Sequence, residues 1–542
     1  MQLRNVPARD ALIAVLLFAA FLTVSIPGVS WGTPAIWNPD ELVARVALAL
    51  NGELEFDQTE PNFNSPSLPK YVMYGVGRVV YSLGYDRATF IITARVVSAI
   101  LGGLAVVLAF STVRQMGGKV WSATLAGLLM ICSGVIPENA RFAHNDLYLL
   151  VFVQLCVLFA LEYQITKKRG WLYACFYSAG LAASSKYTGG SMLLLPLSLL
   201  FVIKWDDVRK DRLAAAERGV LGLLLTFLGY ATGTPRALLW MSYYFKRVLP
   251  ALLRYPQYGL QPDSQRGWIG QWGTFEAAVG PFLFVLFLAA GLWVVVHLAK
   301  AVRRKERLSE GRPALLLVLF LSILFFDLPF LASVNYIPRY FIPFVALLAV
   351  ATALFLEEVR AALQSRGNRV AHGVLVLLLA MGLCYSFLRV VSTALLFTND
   401  ARAPAGEYLG ELRPGSVIEY TLYPPVIPPG QFAKARNYPI FFLKYPGEIV
   451  PTDKPYDYNA GEAGLLERGV DYLVVDSFTY ARFTDPYVCS SNPVECEFFG
   501  QLLAGRTQWV LLRHFEYSLP TYLPQLTLSA VNPAIRVYEH LP

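Results

Sequence analysis

Apolar stretches of about 20 residues recur along the first 400 residues of the chain and constrain its fold more than any other feature. A helix needs about that length of apolar sequence to cross the hydrocarbon core of a bilayer. Only 15% of the 542 residues are charged, whereas a soluble protein carries about 25%. The sequence therefore predicts an α-helical polytopic membrane protein.

The apolar runs predict about eleven transmembrane helices. They lie near 11–26, 89–113, 120–137, 147–165, 170–185, 188–203, 217–234, 277–299, 313–333, 340–357 and 370–397. The first run follows Arg4 and Arg9, as a signal peptide would, but no convincing small-residue cleavage site follows it. We interpret it as a retained first helix.

Basic residues predict the orientation of these helices. Clusters at 167–169, 204–212, 303–307 and 366–369 fall in alternate connections, on one side of the membrane. The positive-inside rule makes that side cytoplasmic. The amino terminus is then cytoplasmic, and an odd number of spans places the carboxy terminus outside. Although the net charge is +8, no basic stripe with interleaved aromatic residues is present, so we expect no nucleic-acid partner.

Two domains follow from the change in composition near residue 398. Residues 1–397 form the predicted membrane domain, with a first outer loop at about 31–88 and a second outer region at about 234–276. Residues 398–542 are richer in proline, tyrosine and charge. Strands are predicted at 417–420 and 472–475, and helices at 407–412 and 462–468. A small extracytoplasmic α/β domain fits this pattern.

The six cysteines fall into two groups. Four lie in apolar runs, where a thiol is a small apolar side chain, whereas Cys489 and Cys496 lie in a polar stretch of the outer domain. If the outer compartment is oxidising, these two are expected to form a disulfide. Two free thiols are the alternative.

Ionisable side chains gather at the predicted outer ends of helices, where each is a functional candidate. Asp40 and Glu41 follow the first helix, and Arg141, His144 and Asp146 stand between the third and fourth. Acidic residues also favour helix amino termini, and local sequence alone favours that capping role for both groups.

Two further cations belong to the same predicted outer layer. Lys186 lies between two apolar runs, where snorkelling to the interface would also explain it, and Arg339 stands at an outer helix end. With Arg141 they make three cations in one layer with the carboxylates. Such a layer suits a reaction whose leaving group is a lipid phosphate, because the cations stabilise its charge while a carboxylate accepts a proton.

The order of these features resembles a known superfamily. An acidic pair follows the first helix, then Asn64-Ser-Pro-Ser-Leu-Pro-Lys70-Tyr71, Arg-x-x-His-x-Asp at 141–146, Ser-Lys-Tyr-Thr-Gly at 185–189 and Arg-Tyr-x-x-Pro at 339–343. This resembles the GT-C glycosyltransferases of the dolichyl-phosphate-mannose protein mannosyltransferase type. Bacterial members include the lipid A aminoarabinose transferase and lipopolysaccharide core transferases. The likeness covers about residues 1–360, and Asp400-x-Arg402 is similar to the start of related tails.

The resemblance implies a role for each candidate residue. Asp40 corresponds to the first-loop aspartate that acts as catalytic base or metal-site residue, with Glu41 as its acidic neighbour, and Asp146 corresponds to the second-loop acid. It also implies a divalent-metal set of Asp40, His144 and Asp146, and cations near the donor phosphate. These cations are Lys70, Arg141, Lys186 and Arg339, although Leu-Pro-Lys-Tyr around Lys70 departs from the Lys-Pro-Pro-Leu order of relatives.

The resemblance also implies the reaction. The expected donor is a sugar, mannose or another hexose or pentose, linked to a polyprenyl phosphate. Transfer inverts the anomeric centre and delivers the sugar to a glycan, lipid or protein acceptor of the cell envelope, outside a bacterial cytoplasmic (inner) membrane. The Trp-Trp-Asp stretch of oligosaccharyltransferases is absent from the sequence, which argues against transfer of whole oligosaccharides to asparagine.

The sequence leaves two other functions open. A transporter or flippase for a polyprenyl-linked lipid would also place charges in the membrane, but these usually lie near the midplane in two corresponding halves. Here they lie at the outer ends of the helices. A non-catalytic scaffold is the third possibility, and it leaves the alignment of Asp40 and Asp146 unexplained.

Overall fold

The computed structural model describes residues 7–53, 65–201, 212–243, 246, 250, 267–331, 333, 336–438 and 461–541. These residues form two compact units. The first comprises the described parts of Met1–Val29 and Asp40–Val391, and the second comprises Ser30–Pro39 with the described parts of Ser392–Pro542. Asn64 and much of the predicted second outer region lie outside the described residues.

Helices account for the regular structure of the first unit in its described part, and every predicted apolar run corresponds to helical structure. The α-helices are Ala8–Ser25, Val43–Leu50, Leu68–Ser82, Arg87–Gln115, Val120–Ile131, Val135–Asn139, Asp146–Thr166, Arg169–Ser185, Leu194–Phe201, Arg212–Gly233, Arg236–Leu239, Met241–Tyr243, Gly267–Val279, Pro281–Arg303, Gly311–Leu331, Ile342–Ser365 and Arg369–Thr398, with 3-10 turns at Tyr187–Leu193 and Pro338–Phe341.

Eight helices of the described chain are long and apolar enough to cross a membrane. Three of the eleven predicted spans are shorter, at Val120–Ile131, Arg169–Ser185 and Tyr187–Phe201. The predicted run 120–137 is divided because Gly134 adopts φ 77°, a left-handed conformation that favours glycine. The polytopic helical fold is confirmed, and the count of eleven stays a prediction.

Close helix packing in the first unit depends on small residues. Helices Arg169–Ser185 and Arg212–Gly233 meet at Gly180 and Gly229. A Cβ added to Gly180 would lie 2.0 Å from the carbonyl oxygen of Thr226, and one on Gly229 would lie 2.3 Å from that of Tyr177. Any larger side chain would force these backbones apart, as in other small-residue contacts between membrane helices.

The second unit is an α/β domain built on a five-stranded sheet. Its strands are β1 Val417–Tyr420, β2 Lys434–Asn437, β3 Tyr472–Asp476, β4 Trp509–Phe515 and β5 Ile535–His540, in the order β2-β1-β3-β5-β4. β1 pairs in parallel with β2 and β3, whereas β5 is antiparallel to β3 and β4. The remaining elements are helices Arg402–Leu409, Gly461–Glu467, Ser477–Tyr480, Pro486–Cys489 and Pro493–Leu503, and a 3-10 turn at Ala481–Thr484.

The two faces of β3 belong to two different apolar cores. Leu473 and Val475 pack in one core, and Tyr472 and Val474 pack in the other. Alternate residues of a strand point to opposite faces, so a central strand covered on both sides is apolar throughout. The predicted α/β domain is confirmed. The first of its predicted helices is displaced toward the amino terminus, at Arg402–Leu409.

A buried arginine joins the short segment Ser30–Pro39 to the rest of the second unit. Arg402 is fully buried, and its guanidinium carbon lies 5.0 Å from the ring centre of Trp31 and 4.2 Å from that of Trp37. Asp400 pairs with Arg402 at 2.7 Å and also accepts a hydrogen bond from Trp31 Nε1 at 2.9 Å. We call Trp31, Trp37, Asp400 and Arg402 the arginine clamp. The predicted domain boundaries did not include this segment in the outer domain.

The structure forms the disulfide predicted for the outer domain. Cys489 and Cys496 are linked across a sequence separation of seven residues. The other four cysteines are free thiols in helical regions of the chain: Cys132, Cys156, Cys175 and Cys384.

Candidate active site

Asp146 lies at the centre of a cluster of basic side chains in the first unit. Its carboxylate is 1% exposed, and Lys186 Nζ lies 2.7 Å from Oδ1. On the other oxygen, His144 Nδ1 lies 2.7 Å and Arg339 Nε 3.9 Å from Oδ2. A buried carboxylate is stable as an anion only when such partners surround it. Asp146 thereby holds the basic side chains of Lys186 and Arg339 in one place.

Arg339 also reaches the second acid of the cluster. Its Nη2 donates a hydrogen bond of 2.8 Å to Asp40 Oδ2. The Asp40 side chain is 57% exposed, in contrast to the 1% of Asp146. Arg339 therefore bridges a buried carboxylate and an accessible one, and of the two acids only Asp40 is open to a substrate.

Neither acid has the capping geometry that local sequence favours. The helix Val43–Leu50 has Leu42 as its N-cap residue, and no side-chain cap hydrogen bond forms there. The helix Asp146–Thr166 has Asn145 as its N-cap residue, again without a side-chain cap hydrogen bond. Asp146 does lie in the first helical turn, where the helix dipole favours an anion. Its carboxylate, however, is held by Lys186.

Glu41 is buried and bound on both carboxylate oxygens. Arg95 donates two hydrogen bonds to it, Nε at 3.0 Å and Nη2 at 2.7 Å, and both side chains are 0% exposed. The backbone amide of Ala143 donates a third at 2.9 Å, while the amide of Leu42 donates to the Ala143 carbonyl at 3.1 Å. Glu41 therefore joins the segment that carries Asp40 to the segment that carries His144 and Asp146.

Arg141 is also fully buried, and its guanidinium donates to backbone carbonyls. The acceptors are Pro27 at 2.7 Å, Pro137 at 2.7 Å and Val24 at 2.6 Å. This arrangement ties the end of the first helix to the segment before Asp146. Burial lowers the pKa of Arg141 to about 10, against the attraction of Glu138.

Glu138 is a fourth acid in this region and was absent from the sequence-based candidates. It lies in the short helix Val135–Asn139, which packs against the turn Pro338–Phe341 that carries Arg339. Burial raises the pKa of Glu138 to about 7, although the charges of Arg141, Arg339 and Arg389 oppose the rise. This group is therefore divided between its neutral and charged forms near neutral pH.

Lys186 has an aromatic contact in addition to its acid partner. Its ammonium lies 4.4 Å from the ring centre of Tyr340, the residue after Arg339. A cation over a ring face at that distance is attracted by the ring quadrupole. Its side chain is 17% exposed, which leaves part of the ammonium accessible. Lys70, the other predicted phosphate-binding lysine, is fully buried in the first turn of helix Leu68–Ser82.

The side chains suggested as metal ligands do not form a metal site. Within the described ranges, no group of three His, Cys, Asp or Glu side chains converges as a cation would require. Lys186 and Arg339 are bound to the same carboxylates, and their charges would repel a divalent ion. The arrangement of Asp40, His144 and Asp146 therefore does not fit the metal.

His144 completes the basic surroundings of Asp146. Burial lowers the pKa of His144, and the charge of Arg339 lowers it further, whereas Asp146 opposes the change. Its side chain is 10% exposed. His144 is therefore a neutral contact of Asp146 near pH 7.

The structure thus brings together Asp40, His144, Asp146, Lys186 and Arg339. Glu41 and Arg141 lie at the edge of this cluster, where each is hydrogen-bonded to the backbone that supports it. The sequence analysis missed Arg95, Glu138 and Tyr340. The position of Arg95 inside the long apolar helix Arg87–Gln115 was a signal, because an ionisable residue at membrane depth requires a partner.

Comparison with known proteins agrees with the resemblance found in the sequence. Residues 81–242 match the family model of dolichyl-phosphate-mannose-protein mannosyltransferase. No curated protein matches the sequence significantly. The oligosaccharyltransferase of Archaeoglobus fulgidus in its apo form superposes with a TM-score of 0.53 and 12% identity, over 96% of this chain and 75% of its own.

A second similar structure is ArnT from Cupriavidus metallidurans bound to undecaprenyl phosphate. The TM-score is 0.47 at 14% identity, over 96% of this chain and 97% of that one. The superposition with the archaeal enzyme shows the GT-C fold, and the family model matches the segment that contains His144, Asp146 and Lys186. The resemblance to the GT-C superfamily of glycosyltransferases is confirmed.

Proposed function

We propose that the protein transfers a sugar from a polyprenyl-phosphate donor to a hydroxyl of an envelope glycan, lipid or protein, with inversion, on the non-cytoplasmic face. The observation that carries the proposal is the bridge of Arg339 between accessible Asp40 and buried Asp146. It places a potential base beside two cations, Arg339 and Lys186. A transfer from a phosphate needs both, because it releases a proton and a phosphate anion.

In this mechanism Asp40 is the general base. It takes the proton of the acceptor hydroxyl as the acceptor oxygen bonds to the anomeric carbon. The bond between that carbon and the phosphate oxygen breaks at the same time, and the electron pair leaves with the polyprenyl phosphate. Lys186 and Arg339 stabilise the charge on the departing phosphate. Attack opposite to the leaving group inverts the anomeric centre.

The Arg339 bridge supports a particular order of events in this mechanism. Before the donor binds, Arg339 is hydrogen-bonded to Asp40. Donor phosphate oxygens compete for the same guanidinium and weaken that bond, which makes the Asp40 carboxylate a better proton acceptor. Donor binding would then activate the base before the acceptor arrives. Without a bound donor, Asp40 would stay paired with Arg339 and would not take a proton from an acceptor hydroxyl.

The remaining predicted site residues receive supporting roles. Asp146 positions Lys186 and Arg339, and His144 supports Asp146. Glu41, with Arg95, holds the segment of Asp40, and Arg141 holds the end of the first helix, so we assign neither of them to direct contact with the reacting groups. Binding of donor phosphate by Lys70 stays a prediction. No step of this mechanism uses a metal ion.

The test is sugar transfer by the purified full-length protein in liposomes, using a panel of polyprenyl-phosphate-linked hexoses and pentoses. Asp40→Asn keeps the shape of the side chain but removes the base, so transfer should fall about 10²- to 10⁴-fold while folded yield is unchanged. Asp86→Asn is the matched control, because Asp86 caps helix Arg87–Gln115 by accepting from the Thr89 amide. Near-normal transfer by Asp40→Asn would overturn the assignment of the base.

A further measurement separates a transferase from a transporter. Movement of labelled polyprenyl lipid between leaflets without transfer of sugar would support a transporter instead.

The orientation of the protein in the membrane is tested by a reporter that is active only in the cytoplasm, fused after the carboxy terminus. We expect it to be silent, and activity would place the proposed site on the cytoplasmic side.

A further inference from the structure

A long groove runs along the membrane-spanning part of the first unit, away from the cluster around Asp146. It lies between helices Ala8–Ser25, Val120–Ile131, Ile342–Ser365 and Arg369–Thr398, and its volume is about 510 Å³. Ligand pockets in proteins typically measure about 300–1,000 Å³. The groove is therefore large enough to hold part of a small molecule or lipid.

The wall of the groove is apolar along most of its length. Ile13, Leu128, Leu375, Leu379 and Leu383 are among the side chains that line it. It is open on one side, since the lining residue Val376 is 51% exposed. In a membrane-spanning segment that open side faces lipid chains, so an extended hydrocarbon chain is the natural occupant.

One end of the groove is basic. Arg9, Arg360 and His372 line that end. In the described part of the chain, the acids of the same region are bound elsewhere. Asp10 pairs with Arg114 at 2.8 Å, and Glu357 accepts hydrogen bonds from the Lys119 amide and the Ser122 hydroxyl.

The three basic groups are available to a ligand. Among the described residues, neither Arg9 nor Arg360 forms an ion pair. Arg360 stacks on Trp121, with its guanidinium carbon 4.8 Å from the ring centre. His372 Nε2 is buried and has no hydrogen-bond partner in the described structure. Snorkelling explains an exposed arginine, but it does not explain a buried, unpartnered imidazole nitrogen beside two arginines.

This basic end is far from the candidate active site. Arg339 lies in the turn Pro338–Phe341, which directly precedes helix Ile342–Ser365, whereas Arg360 lies near the opposite end of that helix. At a rise of 1.5 Å per residue, about 27 Å separate Arg360 from the beginning of the helix. The basic end of the groove therefore lies in the leaflet opposite to the candidate active site. The predicted orientation makes that leaflet the cytoplasmic one.

We propose that this groove binds an anionic phospholipid of that leaflet. The phosphate lies among Arg9, Arg360 and His372, and one acyl chain lies along the apolar wall. Phosphate oxygens accept charge-assisted hydrogen bonds from guanidinium and imidazole groups. Basic pockets between membrane helices on the cytoplasmic side recognise lipid headgroups by this chemistry.

Native mass spectrometry of the purified full-length protein tests the proposal, with phosphatidylglycerol and phosphatidylcholine of identical acyl chains as probes. The variant Arg9→Gln/Arg360→Gln should bind phosphatidylglycerol about 10- to 30-fold more weakly than the unaltered protein. Arg366→Gln/Arg369→Gln is the matched control, because these exposed arginines lie at the same end of the bundle and outside the groove. It should retain phosphatidylglycerol binding.

A second variant keeps the test independent of folding defects in the first. Ala380→Trp places a bulky ring in the groove at an exposed position and should weaken phosphatidylglycerol binding without removing a charge. If Arg366→Gln/Arg369→Gln lost as much phosphatidylglycerol binding as the groove variants, the lipid would be attracted to the basic surface in general and the proposal would be overturned. Unchanged phosphatidylglycerol binding in both groove variants would also overturn it. Competition by inorganic phosphate at the same concentration as the lipid would point to a free anion and would also reject the proposal.

Discussion

The carboxylate of Glu41 is held by both Arg95 Nε and Nη2, in an ion pair from which solvent is fully excluded. Removing one partner of a buried pair leaves the other charge unpaired and costs about 3–5 kcal/mol. We therefore expect Glu41→Gln and Arg95→Met each to lower the thermal stability and folded yield of the detergent-solubilised protein.

The double variant Glu41→Gln/Arg95→Met distinguishes a structural role of Glu41 from a catalytic role. It removes both charges, so stability should recover toward that of the unaltered protein, and part of the transfer activity should return with it. A double variant that is fully stable and fully inactive would instead place Glu41 among the catalytic groups.

Asp146→Asn should impair donor binding. Lys186 and Arg339 lose the charge that holds them, so the KM for the polyprenyl-phosphate donor should rise in addition to a fall in kcat. Asp40→Asn should lower kcat without raising the donor KM, because the base acts on the acceptor and loss of its charge frees Arg339 for the donor phosphate. Steady-state kinetics over a series of donor concentrations measures the difference. An Asp146→Asn protein with normal donor KM would contradict the anchoring role.

Glu138 should make stability depend on pH. Its pKa in the folded protein is about 7, above the ordinary value of 4.5. Between these values the folded state retains a proton that the unfolded state has lost, so stability is highest below pH 4.5 and falls as pH rises toward 7. The total change is up to about 3 kcal/mol. Thermal unfolding between pH 5 and 8 should show this slope, and Glu138→Gln should flatten it. An identical slope in the variant would assign the effect to other groups.

The arginine clamp should contribute strongly to the stability of the second unit. Arg402→Met leaves buried Asp400 without its cation and removes the stack on Trp31 and Trp37, at a cost of about 3–5 kcal/mol. Arg413→Met is the matched control, because Arg413 pairs with Asp471 at the surface, where a pair contributes about 1 kcal/mol or less. Tryptophan fluorescence during denaturation compares the two. Equal effects would show that the clamp is no stronger than a surface pair.

The disulfide should stabilise the second unit by closing a short loop. Replacing Cys489 and Cys496 together by serine should reduce its stability by about 2–4 kcal/mol. Proteolysis of the reduced and oxidised proteins measures the change, and mass spectrometry of non-reduced peptides shows the linkage. Free alkylation of both thiols in protein isolated from the membrane would reject the bond.

Local sequence was sufficient for the long apolar helices and for two of the five described strands. The run 89–113 predicts helix Arg87–Gln115 because an apolar segment in lipid must satisfy its own backbone hydrogen bonds. In the second unit, alternating apolar residues and turn residues located β1 and β3 closely. Run 120–137 was predicted as one helix because an apolar pattern does not report the left-handed backbone of Gly134.

The sequence by itself also identified most ionisable residues of the cluster, because an ionisable group at a helix end or at membrane depth needs a partner. It did not determine which partner. Asp146 meets Lys186 across 40 positions, and Asp40 meets Arg339 across 299. Glu41 is predicted as a second catalytic acid, and the structure pairs its carboxylate with Arg95. Such pairings depend on which helices pack together and how far each is rotated. The energy that decides this is spread over the whole apolar core, so only the tertiary structure separated the accessible acid from the buried ones.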